Sequence, residues 1–148
     1  MKMIFYKGKG TWIDRLIRWW TGGKYSHCEI MFSDGLCFSS SSRDKGTRFK
    51  EIDMQFGHWD IVELHDVTIE EEDKIREWCK SKEGKPYDYL GLLGFVFFAD
   101  FDDKKKYYCS EICLKAMEII GRISYEKRVS PTYMRDLLVE HGYILEIG

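Results

Sequence analysis

Residues 26–32 (Ser26-His27-Cys28-Glu29-Ile30-Met31-Phe32) and 36–40 both read as extended, and only Ser33-Asp34-Gly35 separates them. So short a link can join two strands only as an antiparallel hairpin, because a parallel pair needs a crossover of about a dozen residues or more. The Asp-Gly pair is itself a hairpin-turn signal. The rest of a sheet must grow from that hairpin. Residues 3–7, 47–52 and 59–64 supply further extended runs, and 143–147 a last one. Helical patterns mostly fill the second half. This segregation predicts an α+β fold, an antiparallel sheet packed against helices, rather than a doubly wound sheet.

The first helix spans 11–21, with Thr11 as N-cap, Ile13, Leu16, Ile17 and Trp20 on one face and Gly22-Gly23 as its stop. A second starts at the cap Thr68, carries Glu70, Glu71 and Glu72 in its first turn and runs to about residue 82. Gly84-Lys85-Pro86 reads as a loop, 88–98 as a very apolar helix and 100–106 as a charged surface connector. A helix over 109–120 closes at Gly121. Ser130-Pro131 opens the last helix with a cap and a first-turn proline, and Gly142 stops it after His141. No internal repeat or low-complexity segment divides the 148 residues, so residues 1–148 read as a single domain.

The chemistry centres on Tyr107-Tyr108-Cys109-Ser110-Glu111, where Cys109 opens the 109–120 helix. A helix N-terminus carries partial positive charge and favours thiolate over thiol. Its backbone N–H groups can also receive an oxyanion. A thiolate nucleophile needs a histidine to hold and pass a proton. His27 is the candidate, on a strand that puts His27, Glu29 and Met31 on one face and Cys28, Ile30 and Phe32 on the other. Two residues compete to orient the imidazole. Glu29 has the better chemistry, although residues two apart on a strand project side by side. Ser39 has the better position, on the neighbouring strand. The plainer alternatives are a buried cysteine and a packed histidine. Cys113 and Met117 continue the Cys109 stripe, so Cys113 reads as core.

Composition removes several classes. A formal net charge of -2 with no basic tail argues against nucleic-acid binding. The start, Met1-Lys2-Met3-Ile4-Phe5-Tyr6, is too short an apolar stretch for a signal peptide, and the longest apolar run, 90–99, is too short to cross a membrane. A cytoplasmic location is therefore expected. The five cysteines, at 28, 37, 79, 109 and 113, form no CxxC pair and are expected to be thiols in a reducing compartment. His27, Cys28, Cys37 and Cys109 are zinc-ligand types, but His27 and Cys28 should point to opposite strand faces, so no metal site is expected. Lys45 and Arg48 are candidates for binding an acidic substrate group.

Together, Tyr25-Ser26-His27-Cys28-Glu29-Ile30 and Tyr108-Cys109-Ser110-Glu111, with Gly84-Lys85-Pro86-Tyr87-Asp88 and the Ser130-Pro131 helix, resemble the circularly permuted branch of the NlpC-type, papain-like cysteine hydrolases, the YiiX/YebB-like group. In that branch the histidine strand precedes the cysteine helix. The resemblance implies a circularly permuted papain-like fold, Cys109 as nucleophile and His27 as general base. The family's third residue falls about a dozen positions after the histidine, which here is Ser39, with Glu29 as the substitute. Its aromatic hydroxyl near the cysteine falls at Tyr107 or Tyr108, as an oxyanion donor. The implied reaction is hydrolysis of an amide bond, in a peptide or peptidoglycan fragment, through a thioester and with no cofactor.

Two other functions fit the same residues. Permuted papain-like folds include lipid acyl hydrolases and acyltransferases resembling lecithin retinol acyltransferase. The tryptophans and arginines of helix 12–20 can then rest on lipid headgroups as a peripheral contact, against the simpler reading of a core-packing helix with snorkelling arginines. A non-catalytic binding module is the other: the aromatic content suits an interface, and Ser39 would mark decayed catalysis.

Overall fold

The computed structural model describes residues 1–55, 57–89, 108–121, 123–124 and 129–143. Five strands form one sheet: β1 (Lys2–Tyr6), β2 (His27–Met31), β3 (Cys37–Ser41), β4 (Gly46–Lys50) and β5 (Trp59–Glu63). Their order is β4-β3-β2-β1-β5, and every neighbouring pair is antiparallel. Among the described residues there are four helices: α1 (Trp12–Thr21), α2 (Ile69–Lys82), α3 (Cys109–Glu118) and α4 (Pro131–Glu140). The expected α+β class with an antiparallel sheet is what the chain adopts. None of these helices is long and apolar enough to cross a membrane. The expected helix 88–98 beyond Tyr89, the connector 100–106, Tyr107 and the strand 143–147 beyond Tyr143 lie outside the described residues.

The β2–β3 hairpin closes as its short link requires. The Phe32 N–H donates to the Leu36 carbonyl at 3.0 Å, and Gly35 takes a positive φ of 88° in the turn. Thr11 caps α1 and Thr68 caps α2, each in a reciprocal box with the acid three residues on, and Gly22 ends α1 in the left-handed conformation. The fourth extended run ends at Lys50 rather than Ile52; the segment after it turns away to wall the cleft described below.

One sheet face packs on α3. Met3 and Phe5 of β1, Cys28 and Ile30 of β2, and Phe38 of β3 meet Ile112, Cys113, Ala116 and Met117 of α3 in a continuous core that also takes Ile75 and Cys79 of α2 and Met134, Leu137 and Leu138 of α4. Burying Ile112, Leu114 and Met117 contributes about 1.5–3 kcal/mol each, enough to hold the α3 start against the sheet. Ser110, buried, donates its hydroxyl to the Val129 carbonyl, just before the Ser130 cap of α4.

The 84–87 loop is stitched to β4. Thr47 N–H donates to the Lys85 carbonyl at 2.8 Å and Tyr87 N–H to the Lys45 carbonyl at 3.1 Å. A Cβ on Gly46 would stand 2.1 Å from that Lys85 oxygen, so only glycine admits the approach. The stitch sets Tyr87, 5 % exposed, beside the first turn of α3.

Candidate active site

The site arises where the β2–β3 ladder opens. Register pairs Ile30 with Phe38 and Met31 with Cys37, and there it stops. The next hydrogen-bonded pair would join Cys28 to Ser40. The two backbone groups of Cys28 that an unbroken ladder would give to β3 find other partners. Its carbonyl accepts from the Ser39 hydroxyl at 2.7 Å and from the Cys113 thiol at 3.7 Å. Its N–H donates to the sulfur of Cys109.

Cys109 is the first residue of α3, and Tyr108 precedes it as an N-cap whose side chain makes no capping hydrogen bond. Tyr108 therefore supplies no capping oxygen to the positive helix end, while Glu111 stands as the acid of its first turn. Cys109 is 3 % exposed. The hydrogen bond from the Cys28 thiol favours the Cys109 thiolate most. Burial opposes it, and the charge and hydrogen bond of His27 and the Cys28 N–H add to it, so the Cys109 pKa falls well below the ordinary thiol range. Cys28, in exchange, is held as a neutral thiol by burial and by its contacts with Cys109 and Cys113.

His27 and Cys28 both reach Cys109, although alternation along β2 should send them to opposite faces. The reason is position: Cys109 stands at the open end of the strand, where a side chain from either face can meet it. The His27 side chain is 17 % exposed. Its Nε2 lies 2.9 Å from Oε1 of Glu29, which leaves Nδ1 for the cysteine. Burial disfavours a charged imidazole, but the Cys109 thiolate and then Glu29 outweigh it and raise the His27 pKa to about 10.

Glu29 is 1 % exposed and fully engaged. Arg48 of β4 grips it with two parallel bonds, of 2.9 Å to Oε2 and 2.8 Å to Oε1. Burial raises the Glu29 pKa, but the bonds from His27 and Arg48 prevail and hold it below the ordinary range. Arg48 in turn meets Asp44 at 2.7 Å, and Lys50 meets Asp44 at 2.9 Å. One charge relay thus runs Asp44–Arg48–Glu29–His27–Cys109. Ser39 stands outside it: its hydroxyl serves the Cys28 carbonyl and faces Cys113 at 3.9 Å. The imidazole's partner on the strand is therefore Glu29 and not Ser39. Arg48, which the sequence offers as a binder of acidic substrate, is spent on Glu29 and Asp44, and Lys45 is exposed at a positive φ of 62°.

Sequence reasoning named Arg48 and Cys28 but missed their parts here, Arg48 as the holder of Glu29 and Cys28 as a donor to Cys109. The available signal for Arg48 was a charge in the middle of a strand otherwise half apolar, Thr47-Arg48-Phe49. Tyr108 is buried and lines a groove beside Cys109, and Tyr107 lies outside the described residues.

Residues just before His27 are pinned by α1. Ser26 donates to Asp14 Oδ1 at 3.0 Å and accepts from Arg18 at 3.1 Å, and Arg18 also donates to the Gly8 carbonyl at 2.7 Å. Among the described residues, two openings flank the Cys109–His27 pair. A charged cleft of about 350 Å³ lies on the His27 side, walled by Tyr6, Trp59, Arg43, Lys50 and Asp53. A narrow apolar groove of about 30 Å³ lies on the Cys109 side, between α1 and the start of α4.

No family model matches this chain, and a search of curated proteins found no match.

Proposed function

We propose that this protein is a cysteine hydrolase that cleaves an amide bond, of a peptide or peptidoglycan fragment, with the architecture of the permuted NlpC-type, papain-like enzymes. The observation that carries the reading is the chain of contacts Cys109–His27–Glu29–Arg48 ending at a helix N-terminus. A structural cysteine in a core needs neither an imidazole nor a buried, doubly bonded carboxylate behind it.

The sulfur of Cys109 attacks the carbonyl carbon, and the carbonyl oxygen takes the electron pair beside the backbone N–H groups at the start of α3. His27, holding the proton the thiol gave up, delivers it to the leaving nitrogen as the carbon–nitrogen bond breaks. An amine departs and a thioester remains on Cys109. Water then attacks the thioester, His27 taking its proton, and the carbon–sulfur bond breaks to release the acid and restore the Cys109 thiolate beside a protonated His27. Glu29 keeps Nε2–H bonded throughout, and Arg48 keeps Glu29 ionised. No step requires a metal or organic cofactor. All five cysteines are free, which suits a cytoplasmic, reducing compartment.

The test is acylation with an activated ester. p-Nitrophenyl acetate should add one acetyl group to Cys109, read by peptide mass, and release nitrophenolate. His27→Ala should lose both. Acetylation spread over lysines, with none on Cys109, would overturn the reading.

One observation favours a second reading, lipid acyl hydrolysis or transfer at a membrane surface. Trp12 and Trp19 of α1 are 69 % and 74 % exposed, with exposed Arg15 between them. Binding to anionic vesicles, lost in the Trp12→Ala, Trp19→Ala variant, would support it.

A further inference from the structure

The two openings beside the dyad differ in size and chemistry, and acyl transfer gives them different occupants. The acyl group stays on sulfur, so it must sit on the Cys109 side. The leaving group takes its proton from the imidazole, so it must sit on the His27 side. Of these two openings, Cys109 lines the groove and not the cleft, and His27 lines the cleft and not the groove.

The groove is walled by Leu16, Ile17, Trp20, Tyr108 and Pro131, with almost no polar surface. Its volume is small, about 30 Å³. The cleft is about ten times larger (about 350 Å³) and carries Arg43, Lys50, Asp44, Glu51 and Asp53. Ile17 and Tyr87 border both, so these two side chains form the boundary between them.

From this the geometry points to a substrate specificity: the groove is an acyl subsite for a short aliphatic acyl group, of about two to four carbons or an amino-acid side chain of that size, and the cleft takes a larger, polar, charged leaving group. The inference rests on the acyl-transfer reading above and adds the direction in which substrate lies. A long or bulky acyl group meets Trp20 and Tyr108. A bulky polar acyl group loses its hydration in the groove, where little polar surface replaces it.

The experiment is a chain-length series of p-nitrophenyl esters, acetyl to octanoyl with pivaloyl, each rate taken relative to its hydroxide-catalysed rate. The expected result is kcat/KM rising about fourfold per methylene from acetyl to butyryl, then levelling or falling, with pivaloyl rejected. Leu16→Trp, which fills the groove, should bring the butyryl-to-acetyl ratio toward one. Leu16→Ala, which widens it, should move the optimum to longer chains and cover the case in which the tryptophan variant does not fold. Acylation of Cys109 with no chain-length dependence, or with a dependence that neither variant moves, would overturn the subsite and leave the hydrolase reading intact. No acylation of Cys109 by any ester would overturn both.

Discussion

Glu29 folds back along its own strand to hold His27, its Oε1 2.9 Å from the imidazole Nε2. Neighbours two apart on a strand normally stand side by side without touching through their ends. Here the carboxylate is aimed from outside. Arg48, on β4, takes both oxygens and turns one toward the histidine. The arrangement gives the imidazole a fixed orientation and directs its other nitrogen at Cys109.

Replacing Glu29 by glutamine therefore does more than remove a charge. The amide can present its NH₂ to Nε2 and select the wrong tautomer, and it removes one of the two carboxylate oxygens that Arg48 holds. Ester or amide hydrolysis by Glu29→Gln should fall by about 10²–10⁴-fold in kcat. Steady-state rates against the wild type check this; a loss under about tenfold would remove Glu29 from the machinery.

Ser39→Ala supplies the contrast. Its hydroxyl satisfies the buried Cys28 carbonyl, so the variant should lose about 1 kcal/mol of stability while kcat changes by less than about tenfold. Urea denaturation and the same assay read the two effects separately. A collapse in kcat with unchanged stability would return Ser39 to the role of third catalytic residue.

These two residues also show what a sequence can and cannot carry. The hairpin was legible because three residues leave a chain no other connection. The helix start at Cys109 was legible because a charged connector, 100–106, gives way there to an apolar run closed by Gly121, and the facing of Cys28, Ile30 and Phe32 toward the core followed from alternation. The choice between Glu29 and Ser39 was not legible, because it depends on Arg48, which arrives from a strand two places away in the sheet. Likewise, alternation placed His27 and Cys28 apart. It could not foresee that the β2–β3 ladder stops at Ile30↔Phe38 and lets both meet one sulfur.

Arg48 should matter to the fold as well. Arg48→Met strands a carboxylate that is 1 % exposed, at a cost of about 3 kcal/mol. Asp44→Asn breaks only a more exposed part of the same chain and should cost within about 1 kcal/mol. Chemical denaturation of the two variants side by side is the check. Equal losses would mean that Glu29 does not depend on Arg48.

The coupled titration of Cys109 and His27 fixes a pH dependence of stability. His27 is raised from 6.5 to about 10, so alone its contribution is full below pH 6.5 and lost as pH rises through about 10. Cys109 is lowered from 9.0, so alone its contribution is full above pH 9.0 and lost as pH falls through its folded value. Between pH 6.5 and 9.0 the folded pair and the unfolded chain each hold one proton, and the two slopes cancel. The stability difference between wild type and the His27→Gln, Cys109→Ser double variant should be level across that interval and decline on both sides. Denaturation midpoints measured across pH give it directly. A difference that stays level at every pH would mean that the two groups do not interact.

The most direct measurement is the rate of iodoacetamide labelling at Cys109 as a function of pH, in the wild type and in His27→Ala. The buried thiol is reachable where it lines the apolar groove. In the wild type, labelling should stay fast through neutral pH, because the thiolate persists well below the ordinary value of 9.0. In His27→Ala the rate should fall at neutral pH and rise again as pH approaches that of a more ordinary thiol. If Cys109 instead labels like a free thiol in both proteins, or is inert in both, the Cys109–His27 pair does not exist as a nucleophile and the chain is a binding module.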